Sequence, residues 1–416
     1  MGFLVSFALR NLGRHRRRTL ITAGALAVGL GVFLFFDSTL KGADADSERN
    51  LIWYETGAGR IVTPEAAAQP DKPSLKNLVS DPASVAALVR NLGFEATLRT
   101  RFEAEVTTAG SDDPASQVVR ATALDPATDK SVFSDKKTTL KGRWFSTHEA
   151  AVVLGAWLAA DLGTAPGQIL TLTTRTRDGS YQVLDLDVVG TVETPDPSVN
   201  RGGVFVPLAY ADDQLGLAGG VTDVAVGWPL GTNTATAGAR IQAGLKAAGM
   251  PLSLLTWRDL AQGYLALSAA KQKSSSLMIL LVIVIAAVGV GNTFLLAFYE
   301  RKTEIGMLRA LGMADKTLFR AFLVEATGIG VIGSALGLVF GALLVGWMTT
   351  FGMDFSALSR QTDIGYPVAG VLYGVWDPSS FVVAGILGVV LSALLVIGPT
   401  RRALKLPITE SLRAEG

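Results

Sequence analysis

Cysteine is absent, and histidine occurs only at His15 and His148. A disulfide framework, a thiol nucleophile and a lipidated cysteine are therefore excluded, and a catalytic zinc site is not expected. No G-x-x-x-x-G-K-[ST] loop occurs, so the chain has no phosphate cradle for hydrolysing ATP itself. Gly289-Val290-Gly291 lies inside an apolar run and cannot serve as one. No serine sits in a G-x-S-x-G turn. Charged residues make up only 18% of the chain. The acidic ones between residues 41 and 273 are scattered and are expected to solvate a surface. The chain is read as having no catalytic residues, no bound metal, no directly bound cofactor and no nucleic-acid partner.

What the chain has instead is long apolar runs. Hydrophobic residues make up 49% of it, and the mean hydropathy is +0.38. Residues 19–36, 274–299, 326–353 and 378–400 contain no Asp, Glu, Lys or Arg. Each reaches or exceeds the roughly 18 residues that cross a bilayer as a helix. The expected fold is a membrane protein with four transmembrane α-helices and a large α+β extracytoplasmic domain between helices 1 and 2. The expected order is an amphipathic segment at 1–18, a first span at 19–40, the outer domain with stalk helices at 41–273 and a second span at 274–299. A cytoplasmic loop at 300–325, a span at 326–353, a short outer loop at 354–377, a span at 378–400 and a tail at 401–416 complete it.

Basic residues orient these spans. Arg10, Arg14, Arg16, Arg17 and Arg18 precede the first. Arg301, Lys302, Arg309, Lys316 and Arg320 fill the central loop, and Arg401, Arg402, Lys405 and Arg413 the tail. The outer loop at 354–377 carries Arg360 against Asp354, Asp363 and Asp377. Positive charge stays inside, so both termini and the central loop are assigned to the cytoplasm. Ala43-Asp44-Ala45 has a small-x-small form. The apolar run before it exceeds the roughly 7–15 residues of a signal core, so an uncleaved anchor is expected.

In the outer domain, strand-like runs are expected at 60–63, 94–108, 117–124, 151–154, 169–175, 181–189, 204–207, 222–226 and 252–255. Helices are expected at 82–92, 156–162 and 235–248. Asp81 and Pro82 form a start signal, and Asp178-Gly179 a hairpin turn. The mixed order indicates an α+β domain of one or two subdomains. Residues 257–273 read as a helix running into the second span, mated with a helix over 41–54. Such a pair would be a stiff lever.

The central loop puts Ile305, Leu308 and Leu311 at helical spacing, framed by charge. It reads either as a solvated loop with helical propensity or as a docking knob. Gly333, Gly337 and Gly341 recur every four residues in the third span, as a close helix-packing stripe does.

Residues 300–312, ERKTEIGMLRALG, resemble the E-R-x-x-E-I-G-x-L-R-A-L-G signature of the FtsX-like permeases of ABC transporters. Pro399-x-Arg401-Arg402-Ala403 and Ala8-Leu9-Arg10-Asn11-Leu12 resemble the family's closing and opening motifs. Outer-domain landmarks such as Leu140-Lys141-Gly142-Arg143-Trp144-Phe145 and Gly203-Val204-Phe205-Val206-Pro207 look like those of the lipoprotein-releasing members. The resemblance implies a coupling helix that enters a groove of a separate ATPase, with Glu300, Arg301, Glu304, Ile305, Leu308, Arg309, Leu311 and Gly312 as its contact set. It implies a cytoplasmic ATPase dimer that holds ATP and Mg, and a second permease, identical or paralogous. It also implies contact with membrane lipids and with a lipid-anchored protein cargo, for which Phe33, Phe36 and Phe294 are candidate contacts. A periplasmic carrier or adaptor is a further implied partner. The alternatives are a macrolide, peptide or glycolipid exporter with an adaptor, and a permease that signals mechanically to a cell-wall hydrolase. Residues 195–202 sit where some members carry a partner-grasping loop, but they do not match one.

Overall fold

The structure, a computed structural model, describes residues 16–108, 116–134, 136–271, 273, 288, 291–292, 295–296, 302–362 and 367–404. Its long helices are α1 (Arg16–Asn50), α2 (Pro82–Asn91), α3 (Thr234–Ala247), α4 (Lys302–Ala310), α5 (Asp315–Thr350) and α6 (Pro378–Leu404). Its main strands are β1 (Gly59–Val62), β2 (Glu95–Thr108), β3 (Ser116–Leu124), β4 (Thr139–Gly142), β5 (Ala151–Gly155), β6 (Ile169–Arg175), β7 (Tyr181–Glu193), β8 (Val204–Pro207), β9 (Asp223–Gly227) and β10 (Ser253–Thr256). The chain divides into two compact units. One comprises Met1–Ala43, Ala269–Met353 and Leu372–Gly416; the other comprises Asp44–Ser268 and Asp354–Val371.

The first unit is helical. Thr19–Thr56, Asp315–Thr350 and Pro378–Arg402 are long and apolar enough to cross a membrane. The expected second span at 274–299 and the segment 1–15 fall almost wholly outside the described residues. Ala23, Leu26, Leu30 and Leu34 of α1 share one apolar cluster with Ala326, Ile329 and Val345 of α5 and Ala384 and Val396 of α6. Helix α6 starts at Pro378, whose missing N–H costs nothing there. Asp377 Oδ1 caps the helix by accepting the Ser379 N–H at 3.0 Å. Lys41 near the end of α1 pairs with Asp37 at 2.9 Å and with Asp377.

The second unit carries the strands. Strands β10, β1, β9 and β2 form an antiparallel sheet in that order. Helix α2 connects β1 to β2, and α3 connects β9 to β10. This is a split β-α-β arrangement of ferredoxin-like order. Val85, Ala86 and Val89 of α2 pack with Ala237, Ile241 and Leu245 of α3 over Ile61, Ala96, Val224 and Val226 of the sheet. Asp81 accepts the Ser84 N–H at 3.2 Å, which explains where α2 begins.

Between β2 and β9 the chain builds a second body. Strand β2 is fourteen residues long, and its far half leaves the first sheet. It pairs with β3 on one side and β6 on the other. The pairs β3–β8, β8–β5, β5–β7 and β7–β6 then close a ring. Alternate residues point inward, as a barrel requires. Phe102, Ala104 and Val106, Leu170 and Leu172, and Leu184, Leu186 and Val188 fill the interior. The outer α+β region is thus one open sheet with two helices joined to one closed barrel. Asp178-Gly179 does make the β6–β7 turn, with Gly179 at φ +90°.

Two expectations about the stalk change. Helix α1 is unbroken to Asn50 and then underwinds into a wider π-helical turn, Leu51–Thr56. The expected helix over 257–273 is interrupted: Trp257–Leu260 ends at Ala261, which leaves helical geometry at φ −103°, ψ 26°. The capping box of Thr256 and Asp259 fixes the start of that short helix. The outer loop at 354–377 also divides, since Asp354–Val371 groups with the strand-bearing unit.

Candidate functional site

Helix α4 is nine residues long and is set against α5 by its C-terminal turn. Gly312 adopts φ +90°. The Gly312 N–H donates to Arg309 O at 3.0 Å, and the Met313 N–H to Leu308 O at 3.1 Å. That pair of bonds is a Schellman closure, and the left-handed residue within it is usually glycine because a side chain would clash there. The apolar contact that accompanies the motif is present: Leu308 and Met313 pack together with Phe322 and Leu404 around Leu318. Arg309 Nε donates to Asp315 Oδ1 at 2.9 Å, tying the last turn of α4 to the first turn of α5.

This geometry separates the expected contact residues. Leu308 faces inward and holds the turn, so it is not part of an exposed ridge. Leu311 is 79% exposed, and Met307, four residues earlier, is 55% exposed. Sequence spacing passes over Met307, because the apolar stripe it defines runs through Ile305, Leu308 and Leu311. Arg309 is bound to Asp315 and Gly312 shapes the turn. Glu304 and Ile305 belong to the helix, but their side chains, like Glu300 and Arg301, lie outside the described residues.

The glycine stripe on α5 faces α1. A Cβ on Gly333 would lie 2.8 Å from Leu26 Cδ2; on Gly337, 2.9 Å from Leu30 Cβ; and on Gly341, 2.4 Å from Leu34 Cδ1. Only residues without a side chain permit this approach. The seam lies within a single chain. Phe33 is partly buried in the same cluster, whereas Phe36 is 49% exposed and stacks edge-on against Phe35. Phe294 lies outside the described residues.

The strand-bearing unit corrects the expectation that its acidic residues only solvate a surface. Asp129 and Asp223 are buried. Arg99 grips Asp129 through Nε at 2.7 Å and Nη2 at 2.6 Å, and Arg101 pairs with Asp223. Both arginines stand on β2 where it passes from the open sheet into the barrel. Burial works against the Asp223 carboxylate, but the charges of Arg101 and Arg60 outweigh it and hold its pKa below the ordinary value. Burial, aided by Arg101, pulls the Arg60 guanidinium down to about 9.

A second buried carboxyl, Asp196, caps the short helix Pro197–Gly202. Its Oδ1 accepts the Ser198 N–H at 2.9 Å and the Ser198 hydroxyl at 2.6 Å. Its Oδ2 is buried with no partner among the described residues. Burial first, then the nearby Glu55, pushes its pKa up to about 7. The segment around it is pinned down and does not protrude. Asn50 Nδ2 donates to Pro195 O and Pro367 O, and Arg201 donates to Ser359 O. Among the described residues no group of His, Asp and Glu could hold a metal ion.

Comparison with known proteins agrees with this architecture. Residues 19–243 match the MacB-like periplasmic core domain, and residues 276–408 the FtsX-like permease C-terminal family. The ABC transporter permease YtrF of Bacillus subtilis is 28% identical over 137 residues, which are 32% of this chain and 30% of YtrF. The macrolide export ATP-binding/permease protein MacB of Rhodopirellula baltica is 31% identical over 132 residues, 32% of this chain and 16% of MacB. The alignments thus span less than a third of these relatives' own length. The periplasmic region of MacB from Actinobacillus actinomycetemcomitans superposes with a TM-score of 0.34 at 12% identity, over 50% of this chain and 92% of that one. With the core-domain match covering more than half of the chain, the protein belongs to the FtsX-like permeases that carry a MacB-like periplasmic core domain.

Proposed function

We propose that the chain is the membrane-spanning permease subunit of an ABC transporter. In this reading a separate cytoplasmic ATPase dimer holds ATP and Mg and grips α4, and two permeases, identical or paralogous, flank the pathway. Differential affinity of the ATPase for two permease states supplies the coupling. The observation that carries the reading is the exposed Met307–Leu311 pair on a short helix braced by the Gly312 turn. An apolar pair of this kind, held rigidly, is what a helix offers to a partner's groove. Basic residues around it support a cytoplasmic position.

The cargo we favour is a lipid-anchored protein leaving the inner membrane, on the order of the outer-domain landmarks. Export of a macrolide, peptide or glycolipid through an adaptor is the second reading, and the name of the R. baltica relative supports it. Signalling to a cell-wall hydrolase is the third. The test of the common core is reconstitution with the partner ABC ATPase recovered with the permease from native membranes. Leu311→Asp and Met307→Asp should abolish the permease-dependent part of ATP hydrolysis while the permease keeps its unfolding temperature. Full stimulation in the double variant would remove the docking role.

A further inference from the structure

A cavity of about 420 Å³ lies within the strand-bearing unit. Its walls come from several elements: Trp53 and Tyr54 of the π-helical turn, Phe133 beyond β3, Trp144 between β4 and β5, and Phe205 on β8. Its volume falls in the range of about 300–1,000 Å³ typical of small-molecule sites. The aromatic walls are braced edge to face, with Trp144 against Phe205 at 5.9 Å and Trp53 against Tyr54 at 6.5 Å.

The charges around it are unequal. Arg99 and Asp129 line the cavity, but their charges offset each other in a bidentate ion pair. The Arg99 guanidinium also lies 3.2 Å from the centre of the Phe133 ring. What remains is positive: Lys130 lines the cavity, is exposed, and has no ion pair among the described residues. Thr138 also lines the cavity, and its Oγ1 is buried without a hydrogen-bond partner among the described residues.

We propose that this cavity binds an anionic amphiphile, its apolar body among the five rings and its acidic head at Lys130. An apolar body gains by leaving water. A carboxylate or sulfonate at the rim meets a single cation and no free anion. The site is independent of the docking role of α4. A straight-chain acid and an aromatic one both meet this description; the chemistry they share is an acidic head on an apolar body.

The full chain in lipid nanodiscs, with empty discs as background, would be titrated with 11-(dansylamino)undecanoate and, separately, with 1-anilinonaphthalene-8-sulfonate. Saturable fluorescence with the first assigns a chain, and with the second a ring. Ala127→Trp, at an exposed position on the rim, should weaken binding about tenfold or more, the equivalent of about 1.4 kcal/mol. Val192→Trp, which fills the interior, should do the same. Lys130→Glu should weaken binding several-fold yet leave competition by uncharged decanol unchanged. No saturable signal with either probe, or binding that both Ala127→Trp and Lys130→Glu leave intact, overturns the proposal.

Discussion

Adding one methyl group to Gly337 should separate α1 from α5. The new Cβ would stand 2.9 Å from Leu30 Cβ and 3.2 Å from Ala27 Cα. Carbon atoms are at ease at about 3.5–4.0 Å, so the shortfall at Leu30 is about 0.6 Å or more. Neither neighbour is the end of a flexible side chain, so no rotamer change relieves the clash and the helices must move. Overpacking of this kind costs about 1–3 kcal/mol. Alanine also improves helix propensity by about 1 kcal/mol over glycine, which blurs the effect of a single variant. Gly346→Ala on the same helix removes that ambiguity, because a Cβ there meets only Trp376 Cζ2 at 3.6 Å, an ordinary contact. The difference between the two variants therefore isolates the clash at about 1–3 kcal/mol. For a body of 150–250 residues each kcal/mol lowers Tm by about 2–4 °C. Thermal unfolding of the intact protein in nanodiscs reads this directly. Equal Tm values for Gly337→Ala and Gly346→Ala would refute the seam. A double-mutant cycle adds a second check. Gly341→Ala clashes mainly with Leu34 Cδ1 at 2.4 Å, so Leu34→Ala should relieve part of its penalty and give measurable coupling.

Arg101→Met should leave the Asp223 carboxylate buried without its main partner, at a cost of about 3–5 kcal/mol. Adding Asp223→Leu should recover most of that loss; unfolding curves that rank the single variant equal to the double would contradict the pairing. The Asp196 pKa in the folded chain, about 7, lies above that of an unfolded Asp, about 3.9. The folded state thus binds the extra proton, and its contribution is complete below the unfolded value and lost as pH rises toward 7. The unfolding midpoint should fall across that window, and Asp196→Asn should flatten the slope; an unchanged slope in the variant sinks the assignment. Gly312→Val forces a β-branched residue to φ +90°, at about 1–2 kcal/mol. Limited proteolysis should then cut faster between α4 and α5, and an unaltered rate would mean the turn does not depend on that backbone.

The strands of the barrel were legible in the sequence, where apolar residues recur at every second position: Phe102, Ala104 and Val106, Leu170 and Leu172, and Leu184, Leu186 and Val188. Strand limits for β3, β6 and β8 came within a residue for the same reason. Ring closure was not legible, since pairing β2 with β6 depends on contacts far apart in the chain. The buried arginines show the limit more sharply. Arg99 and Arg101 share the odd-numbered face of β2 with Glu103 and Glu105, which are exposed. Alternation therefore assigns all four to solvent. What buries the first two is the short helix Pro126–Asp129 and strand β9, which bring Asp129 and Asp223 onto that face only near the start of the strand. Two arginines in a strand otherwise rich in small and apolar residues were the only available signal.

Helix α4 misled in the opposite way. Spacing alone puts Ile305, Leu308 and Leu311 on one stripe, because a wheel treats the helix as isolated. The wheel contains neither Leu318 nor Phe322, which the Gly312 turn brings back against α4. Leu308 is taken up by that turn, while Leu311, beyond the last helical residue, is left outside with Met307. One short motif therefore divides in two: Leu308, Gly312 and Met313 fix the direction of the helix, and Met307 and Leu311 stay exposed, which the docking role proposed above requires. A substitution at Leu308 that reduces ATP hydrolysis cannot by itself be assigned to docking, because it acts first on the brace. The two purposes separate by stability. Leu308→Ala should lower Tm and coupling together, whereas Leu311→Ala, at an exposed position, should lower coupling alone. If both variants lowered Tm equally, Leu311 would belong to the brace and the docking surface would have to be sought elsewhere on α4.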